Sequence, residues 1–364
     1  MNFEKLEQFL DEIQSQGVPF FGMKVVYKNE IVFEKIFGKR EDGTDAGFDD
    51  LFFFYSATKV ITAVSAMRLV EQGKLGLDDP VYKYIPEFKQ MVIGENREPA
   101  KKTLTIRHLM SMTSGYGYDF DAKHLKAVCQ NKQASTMEVV KEMAKDFLYF
   151  EPGEKFCYGF GLDIIGAVIE AITGIKFGEY VKKNIFEPLG MNNSYFKVTD
   201  EIYKKILPQS RYNGKTGRFD PVEKKNQFIL TDSFESGGAG LLSCINDYTK
   251  FVVALSNYGT AKNGYKLISP ESIDKMREDN LGERVKDFWK PDYSYGLGVR
   301  TLINNENSRS PLGEFGWDSA ACAYTLDDVE NNIGIFFGCH TLGWDEGYQA
   351  HIKIRDLVYE CLGI

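Results

Sequence analysis

The sequence has no long apolar run. No stretch approaches the ~20 consecutive apolar residues that a membrane-crossing helix requires. Residues 1–13 show the spacing of an amphipathic helix with acids interspersed, and they lack the basic start and small-residue cleavage site of a secretory signal. We therefore expect a soluble, cytoplasmic protein with no membrane span, unless a leader precedes this sequence.

Basic runs and metal-binding spacings are also missing. The 44 lysines and arginines are outnumbered by 52 acidic residues, and the resulting net charge of −8 argues against a nucleic-acid partner. The six cysteines show no Cys-x-x-Cys or zinc-finger spacing, so we expect free thiols rather than disulfides. The sequence predicts no metal and no cofactor, and a function that depends on a pocket for a small molecule.

Histidine is scarce, and none of the four histidines stands in a recognisable catalytic motif. The absence of a Gly-x-Ser-x-Gly elbow disfavours a Ser-His-Asp hydrolase. The absence of His-Glu-x-x-His disfavours a metallohydrolase. His340, at the end of a predicted strand, could line a cleft.

Strand patterns occur towards both ends of this 364-residue chain, and helical patterns dominate its middle. This order predicts an α/β (α+β) fold in a single domain over residues 1–364. Its sheet lobe would comprise residues 1–75 and 235–364, and a mostly helical lobe would comprise residues 76–234. The strand candidates are a hairpin over 21–27 and 31–37, then 295–302, 321–326 and 333–339, and a last helix is predicted over 349–362.

The most informative stretch is Ser56-Ala57-Thr58-Lys59, which opens a helix of small and apolar residues. A hydroxyl and an amine at this spacing lie on one helix face, with roughly 5–6 Å between their Cβ atoms. Unpaired N–H groups and the positive end of the helix dipole gather at a helix start and favour a developing oxyanion. The pair is a candidate nucleophile and base on a buried central helix.

The same spacing occurs twice more in the chain, at Ser194–Lys197 and at Ser272–Lys275. The first follows a turn-like stretch and the second follows an ordinary polar helix start, so we interpret both as structural. For Ser56 the competing interpretation is an N-cap serine beside a solvated lysine.

Two further segments carry possible chemistry. Tyr158 lies on a loop between a Pro-Gly turn and a helix, and its phenol could abstract or relay a proton if a nearby ammonium lowers its pKa. The segment 315–321 enters a run of small residues. An edge strand there would let a substrate lie against the backbone, and a free N–H could complete an oxyanion hole with that of Ser56. A packed loop tyrosine and a β-turn with a buried tryptophan are the structural alternatives.

Taken together, these segments resemble the β-lactamase-related serine hydrolases: class C β-lactamases, D-alanyl-D-alanine peptidases and esterases. The resemblance implies a β-lactamase/transpeptidase-like fold, with a central antiparallel sheet flanked by helices. The matching segments are 54–59, 104–115, 151–158, 186–191, 236–243 with Asp247, and 315–317.

The resemblance implies an acyl-enzyme mechanism. Ser56 would attack an ester or amide carbonyl, while Lys59 and Tyr158 share the base and acid roles. The backbone N–H groups of Ser56 and Ala320 would bind the oxyanion, and water would release the acyl group.

Departures from the β-lactamase pattern indicate the substrate. Phe160 replaces the asparagine that binds the substrate amide in β-lactamases, and Trp317-Asp318-Ser319 replaces a Lys-Thr-Gly motif. These four residues are the predicted substrate-binding set, and they favour an esterase with an uncharged, apolar acyl substrate. We expect the protein to be a monomer or a weak homo-oligomer. One alternative is a β-lactamase or D-alanyl-D-alanine peptidase. Another is a catalytically weak protein that binds peptidoglycan fragments.

Overall fold

A seven-stranded antiparallel sheet forms the centre of the computed structural model, which describes residues 1–288 and 290–364. Its strand order is β2-β1-β13-β12-β11-β10-β9. Within the described ranges the strands are β1 (Phe20–Tyr27), β2 (Glu30–Gly38), β3 (Phe52–Phe53), β4 (Val92–Ile93), β5 (Glu98–Pro99), β6 (Gln209–Asn213), β7 (Arg218–Val222), β8 (Leu242–Ser243), β9 (Tyr293–Tyr295), β10 (Arg300–Leu302), β11 (Phe315–Gly316), β12 (Tyr324–Asp328), β13 (Ile333–Cys339) and β14 (Thr341–Leu342).

Helices cover the sheet and fill the middle of the chain. In the described part of the chain the α-helices are α1 (Glu4–Ser15), α2 (Thr58–Glu71), α3 (Ile106–Met110), α4 (Lys123–Val128), α5 (Thr136–Met143), α6 (Gly161–Thr173), α7 (Phe177–Val181), α8 (Glu187–Leu189), α9 (Asp200–Tyr203), α10 (Ile245–Ser256), α11 (Pro270–Arg277) and α12 (Asp345–Leu362). Of these described helices, none combines the length and the apolar character needed to cross a membrane.

The two ends of the chain meet in the sheet. The hairpin of β1 and β2, predicted from two strand-like runs around a polar turn, is confirmed. Strand β1 also pairs with β13, so that Phe21 lies opposite Cys339 and Tyr27 lies opposite Ile333. All seven strands of this sheet come from residues 20–38 and 293–339. The predicted α/β (α+β) fold, in which strands from both ends of the chain form one antiparallel sheet, is therefore confirmed.

The sheet is covered on both faces. Helices α1 and α12 contribute to one apolar layer with alternate residues of β13, whereas α10 packs on the opposite face. That packing is close because β13 carries glycine where α10 crosses it. A Cβ at Gly334 would lie 2.4 Å from Val252 Cγ1, and one at Gly338 would lie 2.9 Å from Ile245 Cγ1.

Helix α2 passes through the core, as its composition predicted. A single 3-10 turn, Tyr55–Ala57, precedes it. Over residues 60–70 of the helix, every side chain except Arg68 is apolar or is a buried serine or threonine. A helix without a polar stripe has no face that prefers water. Ser56 and Lys59 therefore stand at the buried start of a helix held on all sides.

Two predictions for the last third of the chain are wrong. Residues 295–302 do not form one strand, because Gly296 N donates to Val299 O at 2.8 Å and Gly298 adopts φ +79°. Glycine tolerates this left-handed conformation, so the chain reverses between β9 and β10. Strand β11 is not an edge strand either, since it lies between β10 and β12. The small residues after it form a turn before β12 begins at Tyr324.

Candidate active site

The serine and lysine of the opening motif are in contact. Ser56 Oγ and Lys59 Nζ lie 3.2 Å apart. The Lys59 side chain is fully buried, whereas 7% of Ser56 remains exposed. Ser56 therefore keeps a small contact with solvent, whereas the amine of Lys59 is shielded from bulk water.

The other Ser-x-x-Lys matches make no such contact among the described residues. Ser194 Oγ instead lies 3.1 Å from Asp247 Oδ2, and Ser272 Oγ donates to Glu71 Oε1 at 2.6 Å. Both hydroxyls stabilise local structure, as their surroundings in the sequence indicated.

Oxygen atoms surround the amine of Lys59. Its Nζ donates to Gly238 O at 2.7 Å and lies 3.0 Å from the Tyr118 hydroxyl. Burial lowers the pKa of Lys59 to about 7, although the nearby Asp163 carboxylate opposes this shift. A substantial fraction of the amine is therefore neutral near pH 7 and able to accept a proton.

Tyr158 faces the same hydroxyl from the other side. Its phenol donates to Ser56 Oγ at 2.8 Å and accepts from Trp317 Nε1 at 3.0 Å. Burial raises the pKa of Tyr158, and its hydrogen bonds with Ser56 and Trp317 offset this only in part. The predicted lowering of the pKa of Tyr158 by a nearby ammonium is therefore not met, because burial raises this pKa. The phenol stays protonated and can donate or relay a proton.

The turn after β11 carries the second predicted oxyanion donor, Ala320. Ser319 N donates to Ala323 O at 2.9 Å, and Ser319 Oγ accepts from the N–H groups of Ala321 and Ala323. Within the described ranges, neither the Ser56 N–H nor the Ala320 N–H has an intramolecular acceptor. Both donors are therefore available to a ligand.

Aromatic rings pack around Tyr118, the tyrosine that contacts Lys59. Phe160, directly before α6, meets the Tyr118 ring edge-on at 4.8 Å and the Phe120 ring at 5.4 Å. Phe228 closes the group at 5.1 Å from Tyr118, and Phe120 at the outer end is 36% exposed. This aromatic wall (Tyr118, Phe120, Phe160 and Phe228) extends from the Lys59 amine to the protein surface.

Asp318 and Ser319 are engaged with the protein itself. The Asp318 carboxylate pairs with Arg300 at 3.2 Å and with Lys290 at 2.5 Å, and Ser319 is buried in its own turn. The predicted contacts of these two residues with substrate stay predictions.

Sequence reasoning missed Tyr118 and the role of Asp163. Asp163 is a buried carboxylate in the apolar first half of helix α6, and it accepts from Gly238 N at 3.1 Å. An acid within this apolar stretch was a visible signal, because buried carboxylates require partners. Tyr118 carried no such signal among the twenty tyrosines of the chain.

Neither His340 nor a metal cluster provides a second site in the part of the chain that the structure describes. His340 is buried against Pro208 O and the 52–53 backbone, and burial lowers its pKa to about 3, so it is a neutral structural residue. Among the described residues no cluster of His, Cys, Asp and Glu could hold a metal ion, and all six cysteines are free.

Known proteins match this chain over most of its length. The family model described as "Beta-lactamase" matches residues 4–359. Lovastatin esterase of Penicillium rubens is 28% identical over 313 residues, which cover 82% of this chain and 75% of the esterase. Esterase EstB of Burkholderia gladioli is 28% identical over 365 residues, which cover 92% of this chain and 89% of EstB.

A solved structure extends the likeness to three dimensions. EstCE1, described as a hydrolase with promiscuous acyltransferase activity, superposes with a TM-score of 0.80 at 21% identity. The superposition covers 96% of each chain, which shows that the two share a fold.

Proposed function

Because the chain belongs to the beta-lactamase family, we propose that it is an esterase-like serine hydrolase that forms an acyl-enzyme at Ser56. One observation carries this proposal: Ser56 Oγ lies within hydrogen-bond reach of both a partly neutral amine, Lys59, and a protonated phenol, Tyr158. A nucleophile with a base on one side and an acid on the other has the parts that acyl transfer requires.

In the acylation step the neutral Lys59 amine takes the Ser56 proton as Oγ attacks the ester carbonyl carbon. The resulting oxyanion receives hydrogen bonds from the Ser56 and Ala320 N–H groups. Tyr158 then donates its proton to the leaving alkoxide and recovers one from the Lys59 ammonium. The products of this step are the acyl-serine and the free alcohol.

Deacylation uses the same base, Lys59, with water as the nucleophile. Water loses a proton to Lys59 as it attacks the acyl carbonyl, and Ser56 Oγ regains a proton as the acid leaves. The enzyme ends each cycle in its starting protonation state, so no cofactor or metal is needed in this scheme.

The substrate we propose is an ester with an uncharged, apolar acyl group. Support comes from the aromatic wall, from Phe160 in place of a polar amide, and from the paired charges of Asp318. The relatives named lovastatin esterase and EstB favour ester over amide cleavage. Phe160 and Trp317 are the side chains that we expect the acyl ester to contact.

The decisive experiment combines covalent labelling with turnover. We expect a fluorophosphonate probe to add to the wild-type protein, with the adduct mapped to Ser56 by mass spectrometry. We also expect hydrolysis of p-nitrophenyl butyrate without hydrolysis of nitrocefin. Labelling elsewhere would contradict the nucleophile, nitrocefin turnover would favour a β-lactamase, and a stable penicillin adduct without ester turnover would favour a binding protein.

The pH dependence of ester hydrolysis follows from Lys59. Only the neutral amine can act as base, so kcat/KM for p-nitrophenyl butyrate should rise with pH and level off above a midpoint near 7. The charged and titratable groups around this amine are Asp163, Tyr118 and Tyr158. Asp163→Asn removes the negative charge that favours the ammonium, so it should move the midpoint to lower pH. A profile that falls through pH 7 would exclude Lys59 as the base.

We further propose a cytoplasmic location and a monomeric or weakly self-associating state. The six free cysteines support the first, because cytoplasmic thiols stay reduced. The net charge of −8 supports the second, because self-repulsion opposes association.

A further inference from the structure

Asp318 is tied into the protein by two cations at the entrance of the turn that carries Ala320. We infer that Asp318 is a positioning residue, which holds Trp317 and the Ala320 N–H in place through its ion pair with the buried Arg300. This inference rests on the proposed function, because it assumes that Ala320 binds the oxyanion and that Trp317 orients Tyr158.

Both oxygen atoms of the Asp318 carboxylate are occupied. Oδ1 pairs with Arg300 at 3.2 Å and Oδ2 pairs with Lys290 at 2.5 Å, and 12% of the side chain is exposed. The two cations compensate the negative charge of this carboxylate, so it does not attract a charged ligand. Its contacts therefore point into the protein rather than towards substrate.

Arg300 is itself held rigidly. It lies on β10 with 1% of its side chain exposed, and its second guanidinium nitrogen donates to Glu314 at 3.2 Å and to Thr325 O at 3.0 Å. Tyr293 in turn donates to the second oxygen of Glu314 at 3.0 Å. A planar guanidinium fixed on two sides presents one direction to Asp318. The network therefore connects the turn to the interior strands of the sheet.

The residues on either side of Asp318 lead to the reacting groups. Trp317 donates to the Tyr158 hydroxyl at 3.0 Å, and that hydroxyl donates to Ser56 Oγ. On the other side, Ser319 O accepts from Tyr348 at 2.8 Å, and Ala320 follows. The carboxylate of Asp318 thus anchors one end of the turn and Tyr348 anchors the other. A shift of the first anchor would displace the Trp317 and Ala320 donors together.

The test is Asp318→Asn, which keeps the shape of the side chain and removes its charge. Complete loss of one oxyanion donor lowers kcat by roughly 10²–10³-fold. Displacement of the donor should lower kcat by less, because the hydrogen bond is weakened rather than removed. We therefore expect kcat for p-nitrophenyl butyrate to fall by about 10–100-fold with KM within about twofold of wild type. We also expect Asp318→Glu to recover part of kcat and the pH midpoint to stay unchanged, since Lys59 is untouched.

The matched control is Asp328→Asn at the opposite end of β12. Asp328 is also buried and accepts from Tyr359, so this variant should lower the melting temperature without lowering kcat. Arg300→Lys keeps the charge, loses the planar geometry and should lower kcat in the same direction as Asp318→Asn. It serves as the test if Asp318→Asn does not fold.

Three results would overturn the inference. A raised KM with preserved kcat in Asp318→Asn would indicate that Asp318 binds substrate directly. Wild-type kcat in both Asp318→Asn and Arg300→Lys would show that this ion pair does not position the turn. An equal fall of kcat in Asp328→Asn would indicate general destabilisation. Failure of the proposed function is distinguishable from these, because the wild-type protein would then neither hydrolyse the ester nor label at Ser56.

Discussion

Replacing Ser56 with alanine should abolish ester hydrolysis, with kcat lowered by roughly 10⁴-fold or more, as expected when a covalent nucleophile is removed. The substitution takes away only Oγ, which lies between Lys59 and Tyr158. The helix start should survive, because no backbone hydrogen bond of the turn Tyr55–Ala57 depends on that hydroxyl. Steady-state kinetics with p-nitrophenyl butyrate, together with thermal melting, measures both expectations.

Ser272→Ala is the matched control for this variant. It removes a serine from the same Ser-x-x-Lys spacing, but one whose hydroxyl donates to Glu71. This variant should keep the wild-type kcat and lose only a little stability, about 1 kcal/mol for one hydrogen bond. If Ser56→Ala retained more than a few per cent of wild-type activity while folded, Ser56 would not be the nucleophile.

Replacing Lys59 with methionine should lower kcat by roughly 10²–10⁴-fold, the contribution usual for a positioned general base. Methionine fills similar volume but cannot accept the Ser56 proton. Gly238 O also loses its donor, and an unsatisfied buried carbonyl costs about 1–3 kcal/mol of the free energy of unfolding. Activity should therefore be measured well below the melting temperature of the variant.

The pH profile separates loss of the base from loss of structure. Residual activity of Lys59→Met should no longer show the rise with a midpoint near pH 7, because the titrating amine is gone. Lys275→Met, at the lysine of the control motif, should keep both the rate and the midpoint. A midpoint near 7 that persisted in Lys59→Met would assign the titration to another group.

The outline of the fold was predictable because it depends on local patterns. Two strand-like runs around a polar turn within residues 20–38 indicated the hairpin, and a run of small and apolar residues indicated the buried helix α2. The errors lie where one turn interrupts a pattern. Gly298 reverses the chain inside a predicted strand, and the position of β11 within the sheet depends on which strands pair, which periodicity does not encode.

The candidate site divides in the same way. The contact of Ser56 with Lys59 follows from helix geometry over three residues, so the sequence by itself determined it. The contacts of Lys59 with Tyr118 and Gly238, which are 59 and 179 residues away, exist only in the folded chain. Burial is likewise a property of the whole fold, and only it brings the pKa of Lys59 to about 7. The spacing of the motif decided that Ser56 and Lys59 meet. The tertiary structure decided the other partners of Lys59 and its protonation, because desolvation depends on every segment packed around it.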